Sequence, residues 1–237
     1  MQFFAQPWWV NLLIIVPIAV AYAWRTRRLQ IAPSQLAWAA AFAGAFGFVE
    51  AAVVVYLRAA VGLLPGYQGT LADVVRLSRG LYERGITASE IALPPSLVTV
   101  ELFREAATMV MLVAVAMLAG RALRAAPGEM RADSNWRAGW KPLRERWAMF
   151  LWCFAIWDAT YYAGLWATIR WPDSLTAPDV LFLIPVPWLA QIWFPLLVDA
   201  AVIAAVLYGR RTPADVEGSR ALTASAVSTL ADSRANS

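Results

Sequence analysis

The stretch VTVELFREAATMVML, residues 98–112, is apolar except for three charged side chains and two threonines. Glu101 and Glu105 are four residues apart and share a helical face; Arg104, three beyond Glu101, borders it, and Thr108 extends it. Carboxyl groups in this pattern can hold a proton or give oxygen ligands to a hard cation, while arginine pairs with an acid or clamps an anion. A lone charge at the centre of a bilayer costs about 3 kcal/mol on insertion scales. Three such groups on adjoining faces must therefore look into protein or water.

Other apolar runs carry partners for them. Glu50 and Arg58 lie in one run, Asp158 with Tyr161 and Tyr162 in another, and Gln191 with Asp199 in a third. Taking a rise of about 1.5 Å per residue, Glu50 and Asp158 fall near the middle of their runs. Glu101, Arg104, Glu105, Tyr161, Tyr162 and Gln191 fall in the outer half, with Arg58 higher still. Asp199 falls on the inner side, too far in depth from Asp158 to form an aspartyl dyad. The expected site is one polar cluster centred on Glu101, Arg104, Glu105 and Asp158, with Glu50, Arg58, Tyr161 and Tyr162 around it. The acids Glu50, Glu101, Glu105 and Asp158 outnumber Arg58 and Arg104, so protonation, a bound cation or water must offset the surplus. Pairing between helices that locks a bundle together is the structural alternative.

The elements that position these groups are spanning helices. The chain has 237 residues, of which 60% are hydrophobic and 15% charged, with mean hydropathy +0.55. Soluble domains average nearer half apolar and a quarter charged. About 20 apolar residues cross a bilayer as a helix, and five runs qualify, over about 7–24, 36–64, 96–119, 147–169 and 180–208. The first run lacks a basic residue before it and reads as an uncleaved helix rather than a signal peptide. Small-residue stripes, Ala39/Ala43/Gly47/Ala51 and Ala155/Ala159/Ala163/Ala167, predict close helix packing. Pro185, Pro187 and Pro195 predict a bent or broken fifth helix.

Orientation follows from the basic residues. Arg25, Arg27 and Arg28, the seven Lys and Arg residues of 120–146, and Arg210, Arg211, Arg220 and Arg234 fall on one side. Arg76, Arg79, Arg84 and Arg170 fall on the other. The positive-inside bias puts the N-terminus outside and the C-terminus in the cytoplasm. The fold class expected is an all-α integral membrane protein: a five-helix bundle over residues 1–211, with a short interfacial helix over 70–84 on the outer surface. The basic 121–146 segment reads as a cytoplasmic surface loop, and 212–237 as a disordered cytoplasmic tail.

Composition narrows the chemistry. The chain has no histidine and one cysteine, Cys153, and its one lysine, Lys141, lies in a polar segment. Haem ligation by histidine, His/Cys metal sites and a retinal Schiff base within the membrane are excluded. No cofactor is expected; a divalent cation such as Mg²⁺ or Mn²⁺ on Glu50, Glu101, Glu105 and Asp158 stays open. The partners expected are the lipid bilayer and a second copy or other membrane subunits, and nucleic acid is excluded. The leading expectation is a multi-pass protein of a bacterial inner membrane handling a proton, cation or small solute. An intramembrane carboxylate or metal-dependent enzyme acting on a lipid phosphate is one alternative. A non-catalytic membrane subunit or assembly factor is the other.

Overall fold

The computed structural model describes residues 4–26, 28–60, 95–122 and 136–210. The interfacial helix expected over 70–84 and the tail expected over 212–237 lie outside these residues. The first run begins as a 3₁₀ helix, Trp8–Ile14, and continues as α1, Ile15–Thr26. Pro17 falls in the first turn of α1, where a missing N–H removes little. Helices α2 (Pro33–Ala60) and α3 (Pro95–Ala122) each begin on the proline that suits a first helical position. Helix α4 (Trp136–Ile169) is followed by strands β1 (Pro178–Phe182) and β2 (Trp188–Gln191), then by α5 (Trp193–Gly209).

Three segments are long and apolar enough to cross a membrane: Trp8–Thr26, Pro33–Tyr56 and Thr99–Ala119. Their outward surfaces suit lipid, with Ile18, Tyr22, Trp38, Tyr56, Phe103 and Val110 all exposed. Helix α4 is the hub, packing against α2, α3 and α5, while α1 packs against α5. The closest seam is α2 on α4. A Cβ on Gly47 would collide with the Trp157 carbonyl and the Thr160 hydroxyl, and one on Gly164 would come within 2.9 Å of the Ala51 Cβ. The α2 stripe is thus a packing seam, with Ala43 and Ala51 fully buried. On α4 the matching positions are Trp157, Thr160 and Gly164; the expected alanine stripe turns outward at Ala163 and Ala167, which are exposed.

Two expectations are corrected. The fold is not all-α: the run over 180–208 is not one bent helix but an antiparallel hairpin followed by a 17-residue helix. Pro185 and Pro187 lie in the connection between the strands, where no ladder donor is needed, and Pro195 lies in the first turn of α5. Residues 136–146 are not loop but the start of α4. Gln6 covers the free edge of β2, its N–H donating to the Leu189 carbonyl at 2.8 Å and its carbonyl accepting from Leu189 N–H at 2.7 Å.

The hairpin runs back along α4. Ile192 N–H donates to the Ala177 carbonyl at 3.0 Å and Trp193 N–H to that of Leu175 at 2.8 Å, so α5 begins beside the segment that follows α4. Further along the hairpin Phe182 stacks on Phe154 at 6.1 Å between ring centroids, fifteen residues before the end of α4. At its other end α5 packs Gly209 against Trp24 and Leu29. There Arg28, Arg144 and Arg210 gather, with Arg210 donating to the Ile31 carbonyl at 3.2 Å and Arg144 to that of Arg28 at 3.3 Å.

Candidate functional site

Helix α3 is polar inside and apolar outside, the reverse of a helix in a soluble protein. Glu101, Glu105, Thr108, Leu112 and Ala116, spaced by threes and fours, are buried; Phe103, Val110, Val113 and Leu118 face outward. Arg104 borders the buried stripe and donates from Nε and Nη2 to Glu101 Oε2 at 2.9 and 2.6 Å. Its Nη1 pairs with Glu50 of α2. Thr108 Oγ1 lies 3.4 Å from both carboxyl oxygens of Glu50. One guanidinium thus serves two acids from two helices.

Glu105 uses its carboxyl differently. Its two oxygens accept the backbone N–H of Leu183 at 2.8 and 3.0 Å, tying α3 to the tip of the hairpin. Backbone groups of a hairpin connection need partners from protein or water, and Glu105 supplies an acceptor for Leu183 N–H.

The second group of acids lies on α4, α5 and β1. Asp158 and Asp199 lie within electrostatic range of each other. Asp199 is 3% exposed, and its Oδ2 has no hydrogen-bond partner among the described residues. Tyr162 donates its hydroxyl to Asp179 Oδ2 at 2.8 Å, and Asp179 lies within electrostatic range of Asp158. The expectation that Asp199 lies too deep to meet Asp158 is therefore wrong. Depth counted along a helix from residue 180 misplaces it, because α5 starts only at Trp193 and Asp199 is its seventh residue.

The residues expected as one cluster fall into two neighbouring groups. Glu50, Glu101, Arg104 and Thr108 form the first, with Glu105 beside them on the hairpin; Asp158 and Tyr162 belong with Asp179 and Asp199 in the second. Tyr161 stands between, within electrostatic range of Arg104 and with its ring edge-on to Tyr162 at 5.2 Å. Arg58 belongs to α2, but its side chain is outside the described part. Gln191 turns away to accept from the Trp193 indole N–H at 2.7 Å.

Asp179 is the residue that sequence reasoning missed. It sits in what reads as a polar connection, and only the alternation of a short strand after Pro178 marks the buried position. Six acids of this half are buried, Glu50, Glu101, Glu105, Asp158, Asp179 and Asp199; among the described residues Arg104 pairs with two of them, and Arg170 lies exposed over the Trp166 ring. Among the described residues no three acidic or sulfur groups converge as a metal-ligand set. No known protein family, curated protein or solved structure matches this chain.

Proposed function

We propose that the protein is a multi-pass membrane protein that handles a proton, a cation or a small solute through its buried acidic half. The observation that carries this reading is the excess of buried carboxyl groups over described cations within an apolar shell. Ionisable residues inside a membrane protein lie in general on ion or substrate paths, and Arg104 balances only part of this set.

The proposal includes five crossings. Helix α4 has the length, and α5, at about 26 Å for its 17 residues, joins the two ends of the bundle. It also includes an N-terminus outside and a C-terminus in the cytoplasm of a bacterial inner membrane. Arg28, Arg144 and Arg210 meet at one end, and the positive-inside bias assigns that end to the cytoplasm. The acids then lie toward the outer surface. Five crossings are few for a complete carrier, so the proposal extends to a second copy or a partner subunit.

The enzyme alternative is weaker. Arg104, the guanidinium best placed to clamp a lipid phosphate, is engaged by Glu50 and Glu101.

The test is ion flux in proteoliposomes of the full-length chain, with an internal pH dye and imposed proton, sodium and potassium gradients. The wild type should dissipate at least one gradient faster than protein-free vesicles, and Glu105→Gln should abolish the effect without unfolding the protein. Wild-type vesicles as tight as empty ones for all three ions would sink the reading.

A further inference from the structure

We infer that the basic end of the bundle binds a phosphate group, held by Arg28, Arg144 and Arg210 where the ends of α1 and α5 meet the start of α2 and the early turns of α4. The site is separate from the acidic half and does not depend on ion handling there.

Printed contacts fix all three arginines around one stretch of chain. Leu29 N–H donates to the Gly209 carbonyl at 2.7 Å, which sets the residues after α1 against the end of α5. Arg28 donates from Nη1 to the Tyr208 carbonyl, with its guanidinium 5.1 Å from the centre of the Tyr208 ring. Arg144 Nη2 reaches the Arg28 carbonyl at 3.3 Å, and Arg210 Nε reaches that of Ile31 at 3.2 Å. These carbonyls are neutral, so they orient the guanidiniums without cancelling their charge. The acid described at this end is Glu145. It is 7% exposed and already accepts from Arg144 Nη2 at 3.1 Å and Gln30 N–H at 3.4 Å. Three positioned positive charges thus meet one negative charge among the described residues.

Two further observations point to an anion. Donors outnumber acceptors: a guanidinium carries five N–H groups, and among the described residues Arg210 engages only Nε and Arg28 only Nη1. Arg144 Nε and Arg146 Nε are buried with no acceptor among those residues, and buried donors are rarely left unpaired. In addition, α2 begins two residues past Ile31 and has no acidic side chain in its first turn, so the positive end of that helix adds to the same field. A guanidinium anchored through one nitrogen offers the others in the fork that phosphate oxygens match. The surplus of two positive charges suits a phosphate better than the single charge of a carboxylate. Tyr22, Leu207 and Tyr208 beside this end are exposed and suit lipid. An anionic phospholipid headgroup is therefore one source of the phosphate, and free phosphate from the aqueous side is the other.

Native mass spectrometry of the full-length protein in detergent tests the site, with phosphatidylglycerol and phosphatidylcholine offered at equal concentration. The wild type should retain phosphatidylglycerol in preference. Arg28→Gln and Arg210→Gln should each lower that retention about fivefold, while Arg170→Gln, at the far end of α4, should leave it unchanged. If Arg28→Gln does not fold, Arg210→Lys carries the assignment: it keeps the charge without the fork and should fall between wild type and Arg210→Gln. Inorganic phosphate separates the sources. Lipid that stays bound against it marks the headgroup as the ligand, and a phosphate adduct that replaces the lipid marks free phosphate. A wild type with neither a preference for phosphatidylglycerol nor a phosphate adduct would overturn the site, and so would an equal loss in Arg170→Gln.

Discussion

The two ends of the bundle both carry charge but use it in opposite ways. At the basic end the charged side chains mostly meet neutral backbone. Arg28 donates to the Tyr208 carbonyl, Arg144 to that of Arg28 and Arg210 to that of Ile31, while Glu145 accepts from Gln30 N–H at 3.4 Å. These contacts pin the connection between α1 and α2 to the end of α5. At the acidic end, by contrast, charge meets charge inside the fold. Arg104 is shared by Glu50 and Glu101, and Asp158 lies within electrostatic range of Asp199. One end uses charge to fix where chain segments lie; the other sets charge against charge, with three carboxyl groups at 7% exposure or less around one guanidinium. Four substitutions test whether that difference is real.

The largest effect belongs to Arg104. Arg104→Met keeps an unbranched apolar stem and leaves Glu50 and Glu101 buried without the Arg104 counter-charge. Removing one partner of a buried ion pair costs about 3–5 kcal/mol, so equilibrium unfolding in micelles should show a loss of that order. Glu50→Gln added to Arg104→Met should recover part of it. A loss under about 1 kcal/mol would mean the acidic end is as wet as the basic one. The next effect falls on the α2–α4 seam, three residues before Glu50. Gly47→Val drives a side chain into the Trp157 carbonyl and Thr160. Overpacking of this kind costs typically about 1–3 kcal/mol, and here it also moves Glu50 away from Arg104. Gly44→Ala, one turn earlier, meets only the Thr160 methyl at 3.7 Å and should be nearly neutral.

What could be read from the sequence follows the same division. The buried stripe of α3 was legible because helical periodicity alone puts Glu101, Glu105 and Thr108 on one face, whatever the rest of the fold does. The gathering of Arg28, Arg144 and Arg210 at one end agrees with the charge bias between segments. The hairpin was not legible. A 29-residue apolar run is long enough for a helix, and prolines two apart are compatible with either a break or a turn. That one error carried two others with it. It set Asp199 at the wrong depth, and it left Asp179 in a connection instead of on a strand facing Tyr162. Residues whose position depends on neighbours along one helix were found; those whose position depends on how a chain doubles back were not.

Glu105 tests the hairpin directly. Glu105→Gln retains an acceptor for Leu183 N–H but loses the charge, and hydrogen bonds to charged groups contribute about 1.5–3 kcal/mol against about 1 for neutral ones. The expected result is a loss of about 1 kcal/mol and faster hydrogen exchange at the Leu183 amide, by about fivefold at constant pH. Exchange at Leu189, whose N–H is held by Gln6, should change less. Equal acceleration at both amides would mean the hairpin opens as one unit and that Glu105 does not act locally.

The smallest effect is expected at the basic end, where Arg144→Gln should change stability by less than about 1 kcal/mol. Three features make it small. Arg144 meets a single acid, its sequence neighbour Glu145 at 3.1 Å, whereas Arg104 is shared by two. Its Nε is a buried donor with no partner among the described residues, and the substitution removes that unpaired group along with the favourable contacts. The connection it touches also remains held without it, by Leu29 N–H on the Gly209 carbonyl at 2.7 Å and by Arg210 on Ile31. Its larger consequence should be topological, since each basic residue lost from this end weakens the bias that orients the chain. Arg144→Gln combined with Arg146→Gln should therefore raise the fraction of inverted molecules in a cysteine-accessibility assay while leaving the melting of correctly inserted protein almost unchanged. A stability loss approaching that of Arg104→Met would show that the two ends do not differ, because a charge at the basic end would then be as tightly committed as the one shared by Glu50 and Glu101.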